Sequence, residues 1–352
     1  MPDRSASLTS VVVGCRMGTA HARAMHGLTE YKVAGVCDLV EERAKKLAED
    51  CGGTEVHTDL RTMLHELKPD VVSIATPTSL HAELVLVAAE FGPKGIYCEK
   101  PMATSLKDAE QMVEVCRAKG IALAINHQRR MGPPLRAMRR LVEEGAIGEV
   151  TLVRGNCAGD ILSDGTHTVD SILHLSGDRD VEWVLGQITR TEPDEGEARS
   201  SGYHPSGGWR YGHMVEDGAM ASFQFREGPR AEILTGLLQM PDRKYQDIEV
   251  FGTAGRLWHP GDSSETPLLM QTDGHAGWRQ VSLDAELETA GPDAIAAAYQ
   301  AFARTLLEGA SHPLCGDHAL RGFEVLMAIF ESARLRSRIV LPLEQKRFPL
   351  EL

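Results

Sequence analysis

The sequence predicts an α/β fold in two parts. A parallel sheet covered by helices on both faces comes first, and an α+β region with a large, open, mostly antiparallel sheet follows. Three observations predict this. Up to about residue 126, short apolar segments alternate with helix-like ones, the pattern of βαβ units. Those segments are mainly apolar along their length, as strands buried on both faces are. Beyond residue 126, strand-like runs succeed one another between Gly and Pro turns, and Phe223 and Phe225 alternate with Gln224 and Arg226. One face of that sheet is therefore dry and the other wet. The expected domains are residues 1–127 and 128–352.

The elements are read in order. Residues 8–14 are β-branched and apolar, a strand, and 19–28 form a helix. A strand at 32–37 precedes a charged, alanine-rich helix at 41–50. The strand at 70–75, the helix at 80–91 and the strand at 95–98 continue the series. The helix at 105–119 opens with Ser105 and Asp108 at capping-box spacing, and 121–125 is the last strand of this part. Pro133-Pro134 starts a helix that ends before Gly145 and Gly148. Strands are expected at 149–156, 181–189, 218–226, 230–238 and 247–251, and helices at 292–308 and 317–335 end the second domain. The polar stretch 192–210 is the longest loop candidate, and long loops in compact domains often carry function.

Composition excludes some roles. The 352 residues are 42% hydrophobic and 25% charged, and the formal net charge is −13. Nucleic acid and anionic membranes both attract cationic surfaces, so neither is an expected partner. The seven cysteines include no CxxC spacing, and several lie in strand-like runs. This suggests free thiols in a reducing compartment, the cytoplasm, with no disulfide framework and no structural metal. No basic amino-terminal region leads into a long apolar run, so no signal peptide is expected. The longest apolar stretch, 84–89, falls far short of the ~20 residues that span a bilayer.

The first strand runs into Gly14-Cys15-Arg16-Met17-Gly18-Thr19-Ala20-His21. A dinucleotide site needs glycine there so that the backbone can approach a pyrophosphate and offer it a helix amino terminus. The turn is compressed to G-x-x-x-G, with Arg16 where a middle glycine is usual. The ribose-binding acid should end the second strand about 20 residues on, and Asp38 does. Its carboxylate suits a ribose diol and repels a 2′-phosphate. Leu39 and Val40 follow rather than a basic residue, so NAD is favoured over NADP. Glu99-Lys100-Pro101 then follows the apolar segment 95–98. A charge at the carboxyl end of a buried strand stands where such sheets bind ligands.

Together these residues resemble the Gfo/Idh/MocA family, named for glucose–fructose oxidoreductase, inositol dehydrogenase and a rhizopine-catabolism protein. The resemblance is carried by Gly14, Gly18 to His21, Asp38, Ala75-Thr76-Pro77, His81, Glu99-Lys100-Pro101 and Asn126. It continues through Glu144 to Gly148, Gly165 to Asp170, Ile248 to Leu257 and Leu341-Pro342-Leu343, essentially the whole chain. It implies a Rossmann amino domain and a carboxyl-terminal domain whose open sheet packs homodimers or homotetramers. It also implies oxidation or reduction of a sugar, cyclitol or related hydroxyl, and a Lys-Pro bond that is often cis.

Alcohol oxidation must remove a proton as well as a hydride, and Lys100 is the candidate acid/base. An unperturbed lysine titrates near ~10.4, so such a role needs burial or nearby positive charge. His167 is the candidate assistant. Family members often carry an aspartate four residues before that histidine. Ser163 occupies the position here and Asp164 follows it, so both are candidates. Asp170 and His174 fall on the same helical face as His167. Asn126 and Arg129 either bind substrate or carboxamide or cap a loop. Tyr203, His204, Trp209, Arg210, Tyr211 and His213 form a polar–aromatic cluster suited to a sugar or to a subunit interface. His21 reads as a helix-packing residue. The expected cofactor contacts are Gly14, Cys15, Arg16, Met17, Gly18, Asp38, Thr76, Pro77, His81, Glu99, Lys100 and Asn126. The expected substrate contacts are Lys100, Arg129, Ser163, Asp164, His167, Trp209, Arg210 and Tyr211. Two rival readings keep the nucleotide: an NAD-retaining glycosidase or lyase that oxidises its sugar transiently, and a non-enzymatic sensor.

Overall fold

The computed structural model describes residues 7–190, 208–241, 245–261, 267–272, 274 and 277–352. The chain divides into two compact units, and each is built from more than one stretch of sequence.

The first unit holds a six-stranded sheet. Its strands are β1 (Leu8–Val13), β2 (Tyr31–Cys37), β3 (Glu55–His57), β4 (Val71–Ile74), β5 (Gly95–Cys98) and β6 (Ala122–Ile125). The helices between them are α1 (Gly18–His26), α2 (Glu41–Asp50), α3 (Leu60–Leu67), α4 (His81–Glu90) and α5 (Leu106–Ala118). The strand order is β3-β2-β1-β4-β5-β6, and every pairing is parallel. This is the Rossmann order, with the strand order reversing between β1 and β4. β4 and β5 are buried at all positions, Ser73 of β4 included. Ser105 caps α5 by accepting from Asp108 N–H.

β3 and α3 were not among the expected elements. β3 is a three-residue edge strand with no buried residue, so it has no hydrophobic pattern to read. Its conformation comes from pairing Gly35, Val36 and Cys37 with Glu55, Val56 and His57. α3 did carry a local signal: Asp59 accepts from Thr62 N–H at its start, and Leu60, Met63 and Leu64 are buried.

The second unit opens with α6 (Pro133–Glu143), β7 (Val150–Cys157) and α7 (Gly165–Leu175). Strands β8 (Val181–Thr189), β9 (Trp209–Arg210), β10 (His213–Met214), β11 (Gly218–Phe225) and β12 (Arg230–Thr235) follow. Then come β13 (Asp247–Gly252), β14 (Gly255–His259), β15 (Leu269–Thr272), β16 (Arg279–Gln280) and helix α8 (Asp284–Ala290). Near the end, α9 (Ala294–Glu308) and α10 (Gly316–Leu335) lead into β17 (Ile339–Val340). The large sheet has the order β16-β15-β14-β13-β7-β12-β11-β8-β17 and is antiparallel except for β7 with β12. β12 ends at Thr235, where Gly236 (φ +54°) turns the chain. α7 covers the inner face over β7, β12 and β13. Phe223, Phe225, Ile233 and Val250 are fully buried, each stabilising the unit by about 1.5–3 kcal/mol.

The expected split into 1–127 and 128–352 is corrected in one respect. Residues Asp293–Leu320 belong to the first unit, because α9 packs on α1 and β6. Phe302 of α9 fills the space over Gly95, where a Cβ would lie 2.5 Å from the ring. Tyr299 stacks on Tyr97 with centroids 4.3 Å apart. Among the described residues no helix is long and apolar enough to cross a membrane.

Candidate functional site

In the first unit the carboxyl ends of β1, β2, β4 and β5 carry the expected cofactor residues. Gly14 holds φ +89°, and a Cβ there would lie 2.5 Å from the Ala75 carbonyl oxygen, so only glycine admits this close approach. The Asp38 carboxylate ties the turn to β2: it accepts from Cys15 N–H and from Val40 N–H, each at 2.8 Å. Burial, with Asp38 next in effect, pushes the Cys15 thiol up to about 12, so Cys15 contributes through its backbone. Arg16 and Met17 are exposed at the start of α1. That helix has no side-chain cap and no acidic residue in its first turn, leaving its positive dipole end open to an anion.

β4 adds Thr76 and Pro77. Thr76 Oγ1 is buried without a hydrogen-bond partner, an unmet polar group at the point where the strand order reverses. A dinucleotide fits this arrangement: pyrophosphate at the α1 terminus, ribose at Asp38, and a polar group at Thr76. Asp38→Ala is expected to raise the NADH dissociation constant about 10- to 100-fold, the worth of lost hydrogen bonds to a charged group. It should also narrow the preference over NADPH. Fluorescence titration with both nucleotides checks this.

Lys100 follows β5, is partly buried, and is joined to Pro101 by a cis peptide bond. His81 fastens this turn to the end of β4, with Nδ1 2.8 Å from the Pro101 carbonyl and Nε2 2.9 Å from that of Thr76. Burial pushes the His81 pKa down, opposed by those two carbonyls. Glu99 and Asn126 were expected at the cofactor, yet their side chains are buried and bonded to each other: Asn126 Nδ2 donates to Glu99 Oε1 at 2.6 Å. Burial pushes the Glu99 carboxyl up, but the His21 hydrogen bond and charge, Lys100 and Asn126 together bring it down to about 2.

The second unit gathers most of the expected substrate residues around the start of α7. Asp164 precedes the helix, and its Oδ1 accepts from the Tyr245 hydroxyl at 2.8 Å. Its Oδ2 pairs with Arg210, which also bonds Asp160 at 2.7 Å. The two carboxylates are buried and the cation nearly so. Gly159 makes room for this: a Cβ there would lie 1.9 Å from Asp164 Oδ2. Ser163 Oγ sits 3.2 Å from His213 Nε2. His167 lies buried in the first turn of α7, and Gln246 holds that turn by donating to the Asp164 carbonyl at 2.7 Å. The Arg129 guanidinium lies over the Tyr245 ring, 5.1 Å from its centroid. Trp209 and Tyr211 are exposed, and Tyr211 stacks under Arg210. Tyr203 and His204 lie outside the described residues.

Sequence reading missed Asp160, Glu216 and Tyr245. Glu216 is buried, and its Oε1 accepts from Ile161 N–H at 2.6 Å. Burial, then Asp160, pushes its carboxyl up to about 8. No local pattern marks Glu216 and Tyr245, because they reach Ile161 and Asp164 from segments more than 50 positions away. Asp170 and His174 belong elsewhere. Arg130 donates to Asp170 at 2.7 Å and lies 3.3 Å from His174 Nδ1, a buried group that joins α7 to the segment before α6.

Asp164 thus has its carboxylate occupied by a cation and a phenol. Such a group orients its partners. The first unit offers a nucleotide cradle with a lysine at its edge, and the second, taken by itself, a polar, partly aromatic cluster.

Residues 8–127 match the model of an oxidoreductase family with an NAD-binding Rossmann fold. The chain is 29% identical over 147 residues to YrbE, an uncharacterised oxidoreductase of Bacillus subtilis, covering 42% of this chain and 43% of that protein. It is 23% identical over 282 residues to myo-inositol 2-dehydrogenase of Thermotoga maritima, covering 75% of this chain and 78% of that one. Among solved structures, the WlbA dehydrogenase of Bordetella pertussis in complex with NADH and UDP-GlcNAcA superposes with a TM-score of 0.74 at 23% identity, over 96% of this chain and 100% of that one. That likeness shows a shared fold. Residues 8–127 carry the NAD-binding Rossmann fold of the Gfo/Idh/MocA oxidoreductase family.

Proposed function

We propose that this protein is an NAD-dependent dehydrogenase acting on a hydroxyl carbon of a sugar, cyclitol or sugar derivative. The observation that carries the reading is Lys100 at the carboxyl end of β5, in the unit whose Gly14 turn and Asp38 fit NAD. Bound NAD supplies the hydride acceptor. Lys100 Nζ takes the proton from the reacting hydroxyl, which is hardly acidic in water and needs a positioned base. His167 holds that hydroxyl or shares its proton. Ser163, Arg129 and Arg210 orient further hydroxyls, and Trp209 and Tyr211 offer aromatic faces to the C–H side of the ring. Asp164 serves by fixing Arg210 and Tyr245. The resemblance to a myo-inositol dehydrogenase supports a cyclitol or sugar substrate. The test is a panel of polyols and sugars scanned for NADH absorbance with purified protein. At least one member should give sustained NADH formation, and silence across the panel with NAD bound would remove the reading.

The same proposal places the protein in the cytoplasm, supported by seven cysteines that are all free, and makes it a homodimer or homotetramer. The outer face of the large sheet supports the assembly. It carries a groove of about 740 Å³ lined by residues including Leu185, Ile188, Met220 and Leu234. Leu185 is 50% exposed and Met220 43%, and contiguous apolar surface of this kind marks contact sites. Leu185→Glu combined with Met220→Glu should reduce the mass measured by light scattering to that of one protomer. An unchanged mass removes the sheet as the interface.

A further inference from the structure

The hydrogen bonds beneath Lys100 all converge on Glu99. Its Oε1 accepts from His21 Nε2 at 2.8 Å and from Asn126 Nδ2 at 2.6 Å, and its Oε2 accepts from Lys100 N–H at 3.0 Å. The Tyr97 hydroxyl donates to Asn126 Oδ1 at 2.8 Å, which turns the amide NH₂ toward Glu99. On the far side of the imidazole, His21 Nδ1 lies 2.8 Å from the Tyr299 hydroxyl and 3.1 Å from Ser73 Oγ. An ionised carboxylate only accepts, so His21 Nε2 carries a proton. His21, Ser73 and Asn126 are fully buried, and Glu99 is 5% exposed. A buried anion persists only when its oxygens are satisfied, and three donors satisfy this one. Tyr299 comes from α9, roughly two hundred residues after Lys100 in sequence, in the helix that returns to the first unit.

We propose that Glu99 is a positioning residue for Lys100: held by a His21–Tyr299 pair, its carboxylate fixes the backbone N–H of Lys100 and sets one negative charge next in sequence to the residue whose amine accepts the proton. The inference rests on Lys100 being that acceptor and concerns residues that do not touch substrate. A neighbouring carboxylate makes an amine the stronger proton acceptor and offsets the positive charge of oxidised nicotinamide. Other titratable groups face Glu99 from each adjoining element: His21 on α1, His81 on α4, Tyr97 and Cys98 on β5, and Tyr299 on α9.

The test needs neither substrate nor turnover. Reductive methylation of the full-length protein at fixed pH is followed at Lys100 by peptide mass spectrometry, alongside NADH titration. Only a neutral amine reacts. Glu99→Gln is expected to label roughly three- to tenfold faster, since the charge that favours the ammonium form is gone. Tyr299→Phe should label about twofold slower, because a loosened His21 compensates Glu99 less. NADH affinity should be unchanged in both. A merely structural role would move both rates in the same direction, so changes of like sign, or no change, overturn the proposal. If Glu99→Gln does not fold, Tyr299→Phe decides alone: slower labelling supports the proposal, and an equal or faster rate sinks it. Absence of sugar oxidation would defeat the dehydrogenase reading yet leave this result standing.

Discussion

Lys100→Met should lower kcat/KM by about 10²- to 10⁴-fold while leaving NADH affinity within about twofold of wild type, the range expected when a general acid/base is removed. Methionine keeps the length of the side chain and removes the ammonium. The Gly14 turn, Asp38 and Thr76 lie on other strands and keep their geometry. The loss should fall mainly on kcat, because the proton is transferred only on the way to the transition state. Steady-state kinetics on the substrate found in the panel, with a parallel NADH titration, measure both parts. A variant that turns over at the wild-type rate would strip Lys100 of its role.

Arg210→Met should destabilise the second unit by about 3–5 kcal/mol, the usual cost of stripping one partner from a buried ion pair. The guanidinium holds Asp160 and Asp164 together, and both carboxylates are more than nine-tenths buried. Without it, two like charges face each other out of water, with Glu216 adjoining Asp160. The sign of the pH dependence follows. Stranded carboxylates take up protons more readily in the native state than in the unfolded one. Their penalty is therefore largest at pH 8 and shrinks as pH falls toward 5. Denaturant unfolding across that range tests it, and Arg210→Lys should recover part of the loss. A deficit below about 1 kcal/mol at pH 8 would mean that water reaches the carboxylates and that the cluster is solvated.

Much of the first unit was legible because its information is local. A buried parallel strand reads as an unbroken apolar run, and each helix between strands carries its own period. The Gly14 turn, Asp38 and Glu99-Lys100-Pro101 also sit at strand ends, where the topology of such a sheet places ligand-binding residues without further information. The three-residue edge strand at Glu55–His57 escaped because a half-wet strand has no pattern apart from its partner. In the second unit the strands were readable from alternation, but the occupants of the polar cluster were not. Nothing near Tyr245 or Glu216 announces Asp164 or Ile161.

By itself the sequence determined an NAD-type parallel sheet, a lysine at its carboxyl edge and a following sheet with one wet face. These depend on periodicity and on residues a few positions apart. Only the tertiary structure decided that Tyr299 returns to lie against His21, that Glu99 and Asn126 face inward, and that Asp164 is bound by Arg210. The reason is physical: which polar groups meet in a dry interior depends on chain segments brought together by burying apolar surface. That non-directional force fixes elements against one another and leaves no local mark on the side chains it unites.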